Sequence, residues 1–423
     1  MKEIRISLKL KITLERRDVH GIEEALLKAR EEAFLAIFQR VLERVEAEAV
    51  RDKRRCLRCG QEYVRNGRRA KRLRTLVGEL WYRRVRVRCR GCGEEHFPLD
   101  EALKLEGGEG TTLGVRERSL WAAVELSYEK AHEFLSKYTG LGVSRKKIYS
   151  MAMEEGERIA AWEERRRERV FEEGVVVEGQ KKPGTLYIQV DGTAVNDREE
   201  RDWMECKVGA SFSRRVNVSK GRVWLADKRT YAGVESHESF GEKFFLDCVA
   251  QGVLGAERVI FISDGAKWIR KLKEDYFPGA LGVLDIWHLE RELRFVLGAE
   301  REALVASLKG LALEGNGQEI AQRLVRESQR CSDSRLAMKI LETAGYVMSN
   351  LDWIENIPKA DGYGSGPVEK TVDITVARRF KRRGMSWLRT RVNPLLKLRL
   401  LKLNGEWDQY WQERRETLAQ CAA

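Results

Sequence analysis

The sequence predicts a multi-domain α/β protein with two separate places for metal chemistry. Three observations lead there. Two Cys-x-x-Cys pairs, Cys56/Cys59 and Cys89/Cys92, bracket an alternating, arginine-rich stretch. Short apolar runs alternate with helical stretches over residues 185–291, and several of the runs end in aspartate. From 292 to 356 the chain reads as helix throughout, before a last glutamate-bearing helical stretch.

At 423 residues the chain is long enough for two or three domains with cores of their own. No window approaches the roughly 18 apolar residues that a membrane span needs. The start, Met1-Lys2-Glu3-Ile4-Arg5, lacks the apolar core of a signal peptide, so a cytoplasmic, nucleoid-associated protein is expected. Lys plus Arg number 79 against 66 Asp plus Glu, a net +13. The excess is concentrated. Residues 51–90 hold 16 basic and 3 acidic side chains, 16 − 3 = +13, and residues 374–405 hold ten basic side chains and no acid. Two such segments point to a polyanionic partner, double-stranded DNA, rather than to solubilising faces. Cys206, Cys248, Cys331 and Cys421 are scattered, as in a reducing compartment.

Residues 1–50 open with alternating Ile4, Ile6, Leu8, Leu10 and Ile12, the pattern of a strand. A charged amphipathic helix follows over about 21–50, with apolar positions at Leu26, Ala29, Ala33, Ile37 and Val41; packing or self-association is its expected role. Residues 51–100 form a zinc ribbon, with Cys56, Cys59, Cys89 and Cys92 as tetrahedral Zn²⁺ ligands and His96 as a spare candidate. Between the knuckles a hairpin is expected, 72–76 turning through 77–79 into 80–88. Strict alternation puts Trp81, Arg83, Val85 and Val87 on one face. Tyr82, Arg84, Arg86 and Arg88 then share the other, a row of phosphate-seeking guanidiniums. Residues 115–160 read as a helix-turn-helix: helices over 116–127 and 128–138, a turn at 139–143, and Ser144 as N-cap of a helix opening with Arg145, Lys146 and Lys147. Basic residues at that position suit the major groove. Residues 161–184 read as a charged helix end and a Gly-Lys-Pro linker.

In residues 185–291, strand one ends at Asp191, strand two covers about 205–212 and strand three about 222–231. A helix over 235–248, a strand ending at Asp264, a helix over 267–276 and a strand ending at Asp285 complete the series. Three consecutive strands and then two helix-linked ones give the order of an RNase H-like sheet, in which strands one and four are neighbours. Asp191 and Asp264 then come together. Residues 292–356 form an all-α insertion, and residues 357–415 return to the catalytic domain with Glu369 and basic C-terminal helices.

The chain resembles bacterial insertion-sequence transposases of the Mutator-like superfamily, in the branch with an N-terminal zinc ribbon. The motifs are Val190-Asp191-Gly192-Thr193, Ser263-Asp264-Gly265-Ala266-Lys267-Trp268-Ile269, Leu284-Asp285-Ile286-Trp287-His288-Leu289 and Gly364-Ser365-Gly366-Pro367-Val368-Glu369. The last runs on into the basic stretch Ala377 to Trp387. The four motifs stand in order, and the resemblance covers roughly residues 50–410. Pro367 and Lys370 depart from the usual residues beside the glutamate.

The resemblance implies a catalytic triad of Asp191, Asp264 and Glu369 holding Mg²⁺ or Mn²⁺. It also implies a role for His288 beside Asp285, and phosphate contacts from Arg378, Arg379, Arg382 and Arg383. The expected reaction is two-metal phosphoryl transfer. Water attacks a phosphodiester at the element's terminal inverted repeat, and the freed 3′-OH joins target DNA in an assembly of at least two copies. Two other readings stand beside it: a DNA-binding regulator derived from a transposase, and an RNase H-like nuclease or resolvase. From the residues alone, an Asp-Gly pair is also a common turn, Asp285 also a helix cap, and Trp287 and Trp387 core side chains.

Overall fold

The computed structural model describes residues 3–105, 110–220, 222–360 and 366–420 and divides the chain into two compact units. The first runs to Met151 and includes the chain from Trp407 onward; the second runs from Ala152 to Glu406.

In the first unit, the alternating residues 4–12 form no strand, because no partner strand supplies a ladder for them. Helix α1 (Val19–Asp52) is capped by Asp18, whose side chain accepts from the Gly21 N–H. Its far half packs Leu35, Phe38, Leu42 and Val45 on the hairpin of β1 (Tyr63–Thr75) and β2 (Gly78–Cys89), where Leu73, Leu80 and Tyr82 are buried. Burial on β2 changes face midway: Leu80 and Tyr82 are buried on one face, then Val85, Val87 and Cys89 on the other. The alternation itself is unbroken, with β2 in regular register from Gly78 to Val85, and Lys71 and Arg84 on the Tyr82 face both meet Asp100. β1 carries an irregularity between Arg65 and Arg68, and the buried Glu46 of α1 accepts from the Val85 N–H at 2.7 Å.

The short β3 (Glu95–His96) pairs with β2, and α2 (Pro98–Ala102) follows. Three helices come next: α3 (Leu113–Ala123), α4 (Tyr128–Thr139) and α5 (Arg145–Phe171). Thr112 and Ser127 cap the first two, and Gly140 ends α4 at φ +68. The break between the first two thus lies at 124–127, and Ser127 starts a helix rather than ending one. Ser144 accepts from the Lys147 N–H, as a cap should.

The second unit is built on one five-stranded sheet. Its strands are β4 (Thr185–Asn196), β5 (Trp203–Phe212), β8 (Arg229–Gly233), β9 (Arg258–Ser263) and β10 (Leu281–Leu284), in the order β10-β9-β4-β5-β8. The β4, β5 and β8 strands are antiparallel neighbours, while β9 and β10 run parallel to β4. Ile188, Val190, Ile260, Phe261 and Ile262 are fully buried, which is why these central strands read as unbroken apolar runs.

The third expected strand, 222–231, is two. A separate hairpin of β6 (Arg214–Ser219) and β7 (Arg222–Ala226) precedes β8, because Asp227 takes φ +53 and breaks the run. Helix α6 (His237–Ala250) joins β8 to β9, and α7 (Lys267–Tyr276) joins β9 to β10. The insertion is helical as expected: α8 (Ile286–Leu297), α9 (Glu302–Leu313), α10 (Gly317–Arg330), α11 (Ser334–Ser349) and α12 (Leu351–Ile354).

The chain then returns to β4 and β5 through α13 (Gly366–Val372), a π-helical turn (Asp373–Ala377) and α14 (Arg378–Phe380). Helices α15 (Arg389–Leu403) and α16 (Trp407–Gln420) follow. The last groups with the first unit, where Trp407 meets Trp121 edge-on and Arg415 pairs with Glu117.

Residues 161–171 are the end of α5, not a linker. Glu163 pairs with the buried Lys397 at 2.7 Å, Arg166 donates to the Leu246 carbonyl, and Arg167 pairs with Glu242. The charges that suggested a solvated connector are matched by partners on α6 and α15.

Where α5 crosses α15, Gly156 faces backbone: a Cβ there would lie 2.0 Å from the Pro394 carbonyl oxygen. Neither helix backbone can yield cheaply. Gly156→Ala is expected to cost about 1–3 kcal/mol and lower the melting temperature by several degrees in a calorimetric scan.

Candidate functional site

The four cysteines meet as expected. Their sulfurs all lie within 4.8 Å of one another, with Cys59 and Cys89 at 3.3 Å and Cys56 and Cys92 at 3.6 Å. Four sulfurs around a tetrahedral Zn²⁺ are about 3.8 Å apart, so this cluster can hold such a metal. Each knuckle is a tight turn closed by a glycine in the left-handed region. Gly60 at φ +75 donates to the Cys56 carbonyl, and Gly93 at φ +74 donates to the Cys89 carbonyl. Burial opposes ionisation of Cys89, but N–H groups of Cys92 and Gly91 and the Cys59 thiol outweigh it and bring its pKa down to about 6. His96 is not a member; its ring lies on Tyr63 and its Nδ1 faces Glu101 at 3.5 Å.

The second site is a polar cleft of about 510 Å³ in the second unit. It is lined by Asp191, Gly192, Thr193, Asp264, Asp285, His288, Arg291 and Glu369, among others. Sheet register builds its floor. Gln189 on β4 pairs with Ile262 on β9, the last parallel pair. Two residues further on, Asp191 and Asp264 stand side by side. Asp191 does not end its strand: β4 runs on to Asn196 against β5, but parallel cover on the other side has stopped. Asp264 follows the last residue of β9.

The helical insertion buttresses that turn. Tyr346 on α11 donates to the Asp264 carbonyl at 2.6 Å, and Gly265, at φ +76, would meet the Asn350 side chain with any Cβ. Glu369 comes from α13. Val368, Thr371, Thr375, Val376, Arg379 and Phe380 form the buried face of that helical stretch and leave Glu369 at the cleft edge. Pro367 sits in the first turn of α13, where a missing N–H costs nothing. Gly364 and Ser365 lie outside the described residues.

The carboxylates are less tightly gathered than the thiols. Among the described residues only the cysteines form a group of three or more ligand atoms within 4.8 Å. Arg291 draws on Glu369, with Nη1 3.6 Å from its carboxylate, and three like charges repel. Burial pushes the Asp191 carboxyl up to about 6; the Gly192 N–H opposes this, and Asp264 and Glu369 add to it. The unfolded chain releases this proton near the ordinary 3.8, so the metal-free fold loses stability as pH rises from there through about 6. Asp191→Asn removes that penalty. At neutral pH with chelator it is expected to melt a few degrees above the wild type.

Asp285 serves its neighbouring helix: its carboxylate accepts from the N–H groups of Trp287 and His288 and caps α8. His288 Nδ1 accepts from the Arg291 guanidinium at 2.8 Å, which leaves the proton of the neutral ring on Nε2. Trp287 is exposed, with Lys309 over its ring, rather than core; Trp387 is half-buried against Phe380. Sequence reasoning passed over Arg291 and Lys381, which donates to Thr193 Oγ1 at 3.0 Å. The Asp285-x-x-His288 spacing, extended by one more step of three, reaches Arg291 on the same helix face.

The basic side chains divide. Arg84 is not available to phosphate: it lies 3.7 Å over the Phe97 ring, 3.1 Å from Asp100. Arg86 pairs with Glu95, and Arg88 is exposed. Arg145 is exposed but pairs with Glu129 on α4; Lys146 is exposed and Lys147 half-buried. Arg379 is 1% exposed with its guanidinium over Trp387, so it is a core residue and not a phosphate contact. Arg378 pairs with Asp373, while Arg382 and Arg383 are exposed. No helix among the described residues is long and apolar enough to cross a membrane.

Comparison with known proteins finds relatives that match most of the chain. A UPF0236 protein of Caldanaerobacter subterraneus subsp. tengcongensis is 25% identical over 399 residues, spanning 92% of this chain and 77% of that relative. A UPF0236 protein in the vanSb 3′ region of Streptococcus gallolyticus is 24% identical over 416 residues, 95% of this chain and 87% of the relative. The profile of the Uncharacterised protein family (UPF0236) matches residues 14–415, and the chain belongs to that family.

Proposed function

We propose that this protein is a DDE-type transposase that binds the ends of an insertion sequence, cuts DNA strands there and joins them to a target. The observation that carries the reading is the cleft: carboxylates from residues 191, 264 and 369, remote in sequence, line one polar groove. Its frame supports the reading. A sheet ordered β10-β9-β4-β5-β8, with three antiparallel strands, two parallel ones and a helical insertion before the glutamate helix, is compatible with the order expected of an RNase H-like domain. The cysteine cluster and the three helices after it are modules suited to reading defined DNA ends. The Caldanaerobacter relative carries one name that joins eleven locus designations, as a gene that multiplies within a genome would.

Asp191, Asp264 and Glu369 are hard oxygen donors and would hold Mg²⁺. Bound there, two such ions supply an activated water and charge neutralisation at the leaving oxygen. The chain's own cations would hold the DNA. Arg291 and Lys381 at the cleft are placed to meet a phosphate, and Arg291 would exchange Glu369 for it once that carboxylate is otherwise engaged. His288 keeps Arg291 oriented. The water oxygen bonds to phosphorus, the bond from phosphorus to the 3′-oxygen breaks, and that oxygen leaves with a proton as a 3′-OH. The same cleft would then serve joining: this 3′-oxygen bonds to a phosphorus of the target strand as that phosphorus releases its own 3′-oxygen, which takes the proton and leaves as a 3′-OH.

Joining separates a transposase from a nuclease. Duplexes carrying the sequences that flank the gene, incubated with the protein, Mg²⁺ and a supercoiled plasmid, are expected to yield plasmid covalently joined at their 3′ ends. Cutting without joined product would favour the nuclease, and binding without cutting the regulator.

A further inference from the structure

The β6–β7 hairpin has no task in the cleft and no core beneath it. Strands β5 and β8 pair as far as Ser211 and Arg229. Beyond them the chain bends at Ser213 and Asp227: the Ser213 N–H donates to the Ala226 carbonyl, its hydroxyl donates to the Asp227 carboxylate at 2.8 Å, and Asp227 takes φ +53. The two strands then continue as a separate ribbon, Arg214 pairing with Ala226 and Val216 with Trp224. Leu225 fixes its root against the main core. At about 3.3 Å per residue, the ribbon reaches about 20 Å.

All six residues of β6 are exposed, among them Val216 and Val218, and Trp224 is 60% exposed. Beyond pairing with each other across the ribbon, such side chains cover no core, and exposed apolar groups of this kind mark a contact surface. Its charge says what it contacts. From 214 to 226 the sequence carries Arg214, Arg215, Lys220 and Arg222 and no acid. Four like charges repel a second copy of the same ribbon and attract a polyanion. A two-stranded β-ribbon fits the major groove of B-form DNA, where basic side chains meet phosphates and apolar ones meet thymine methyl groups.

We infer that the β6–β7 ribbon is a duplex-DNA arm that lies in a major groove, with Arg214 and Lys220 on phosphates and Val216 and Trp224 toward base edges. The inference rests on the DNA reading above and adds a contact surface to it.

The test uses the full chain and a labelled 40-base-pair duplex, with affinity measured across a salt series. Arg214→Ser combined with Lys220→Ser is expected to weaken binding about tenfold at physiological salt and to make the salt slope shallower by about 2. Trp224→Ser is expected to weaken binding severalfold with the slope unchanged, since it removes no charge. Both variants should melt with the wild type, because the ribbon buries no core. Variants that bind with wild-type affinity and slope overturn the arm while leaving the DNA reading in place. Dissociation of an oligomer by Trp224→Ser, with DNA affinity intact, makes the ribbon a self-contact instead. Failure of the wild type to bind duplex at any salt overturns both.

Discussion

Asp264→Asn and Glu369→Gln are each expected to lower strand cleavage by at least about a thousandfold, roughly 4 kcal/mol of barrier, while leaving duplex binding and the melting temperature near wild type. Each change keeps the size of the side chain and deletes one anionic oxygen donor. Neither residue holds the fold together by that carboxylate. Asp264 contributes its backbone carbonyl to Tyr346 and accepts locally from the Ala266 N–H, and Glu369 lies at the cleft edge facing Arg291. A loss of cleavage that tracked a loss of folding would instead make these carboxylates structural. Burst amplitude and melting curves measured on the same preparations distinguish the two. Asp191→Asn shares the catalytic loss but should gain stability without metal, since its carboxyl is held up near 6 by burial and its acidic neighbours. A group that weakens the fold is expected where function needs charge gathered.

Loss of a cysteine ligand is expected to have the largest effect on stability. Cys59→Ser or Cys89→Ser removes a ligand from a cluster that can hold zinc, and a structural zinc bound there would supply much of the folding free energy of so small a hairpin, on the order of 10 kcal/mol. Zinc content should fall from one equivalent toward zero. Amide exchange over residues 56–97 should approach unfolded rates while β4 and β9 stay protected. Cys206→Ser, buried in the sheet of the second unit, should leave zinc content unchanged. Retention of one zinc by Cys59→Ser would falsify the four-cysteine ligand set.

What could be read from the sequence follows from how local each signal is. The Cys56/Cys59 and Cys89/Cys92 spacings encode their own turn geometry, including the glycine after each pair, so the cluster was legible outright. Asp191 and Asp264 stood out because fully buried central strands read as apolar runs with an abrupt polar end. Glu369 carried no such signal by itself; a glutamate on a seven-residue helix is ordinary, and it stood out only beside the two aspartates and through the resemblance.

The arginines show the opposite case. Arg84 and Arg379 looked like their neighbours in sequence, yet Asp100 with Phe97 takes the one and Trp387 the other. A charge run gives the number of cations, not which of them the fold already uses. The β6–β7 ribbon was missed because its second strand and β8 read as one run, and the break depends on a single left-handed Asp227. Residues 161–171 of the linker expected at 161–184 pack for a related reason: Lys397, Leu246 and Glu242, which hold Glu163, Arg166 and Arg167, are 75 or more residues away in sequence.

The most direct measurement is end mapping on a labelled duplex that carries the sequence flanking the gene, incubated with the purified full chain and Mg²⁺. The expected result is a Mg²⁺-dependent nick at one fixed position that leaves a 3′-OH and is absent with Glu369→Gln. Duplex that is bound yet uncut with Mg²⁺ and with Mn²⁺, by wild type and variant alike, would contradict a catalytic role for the cleft.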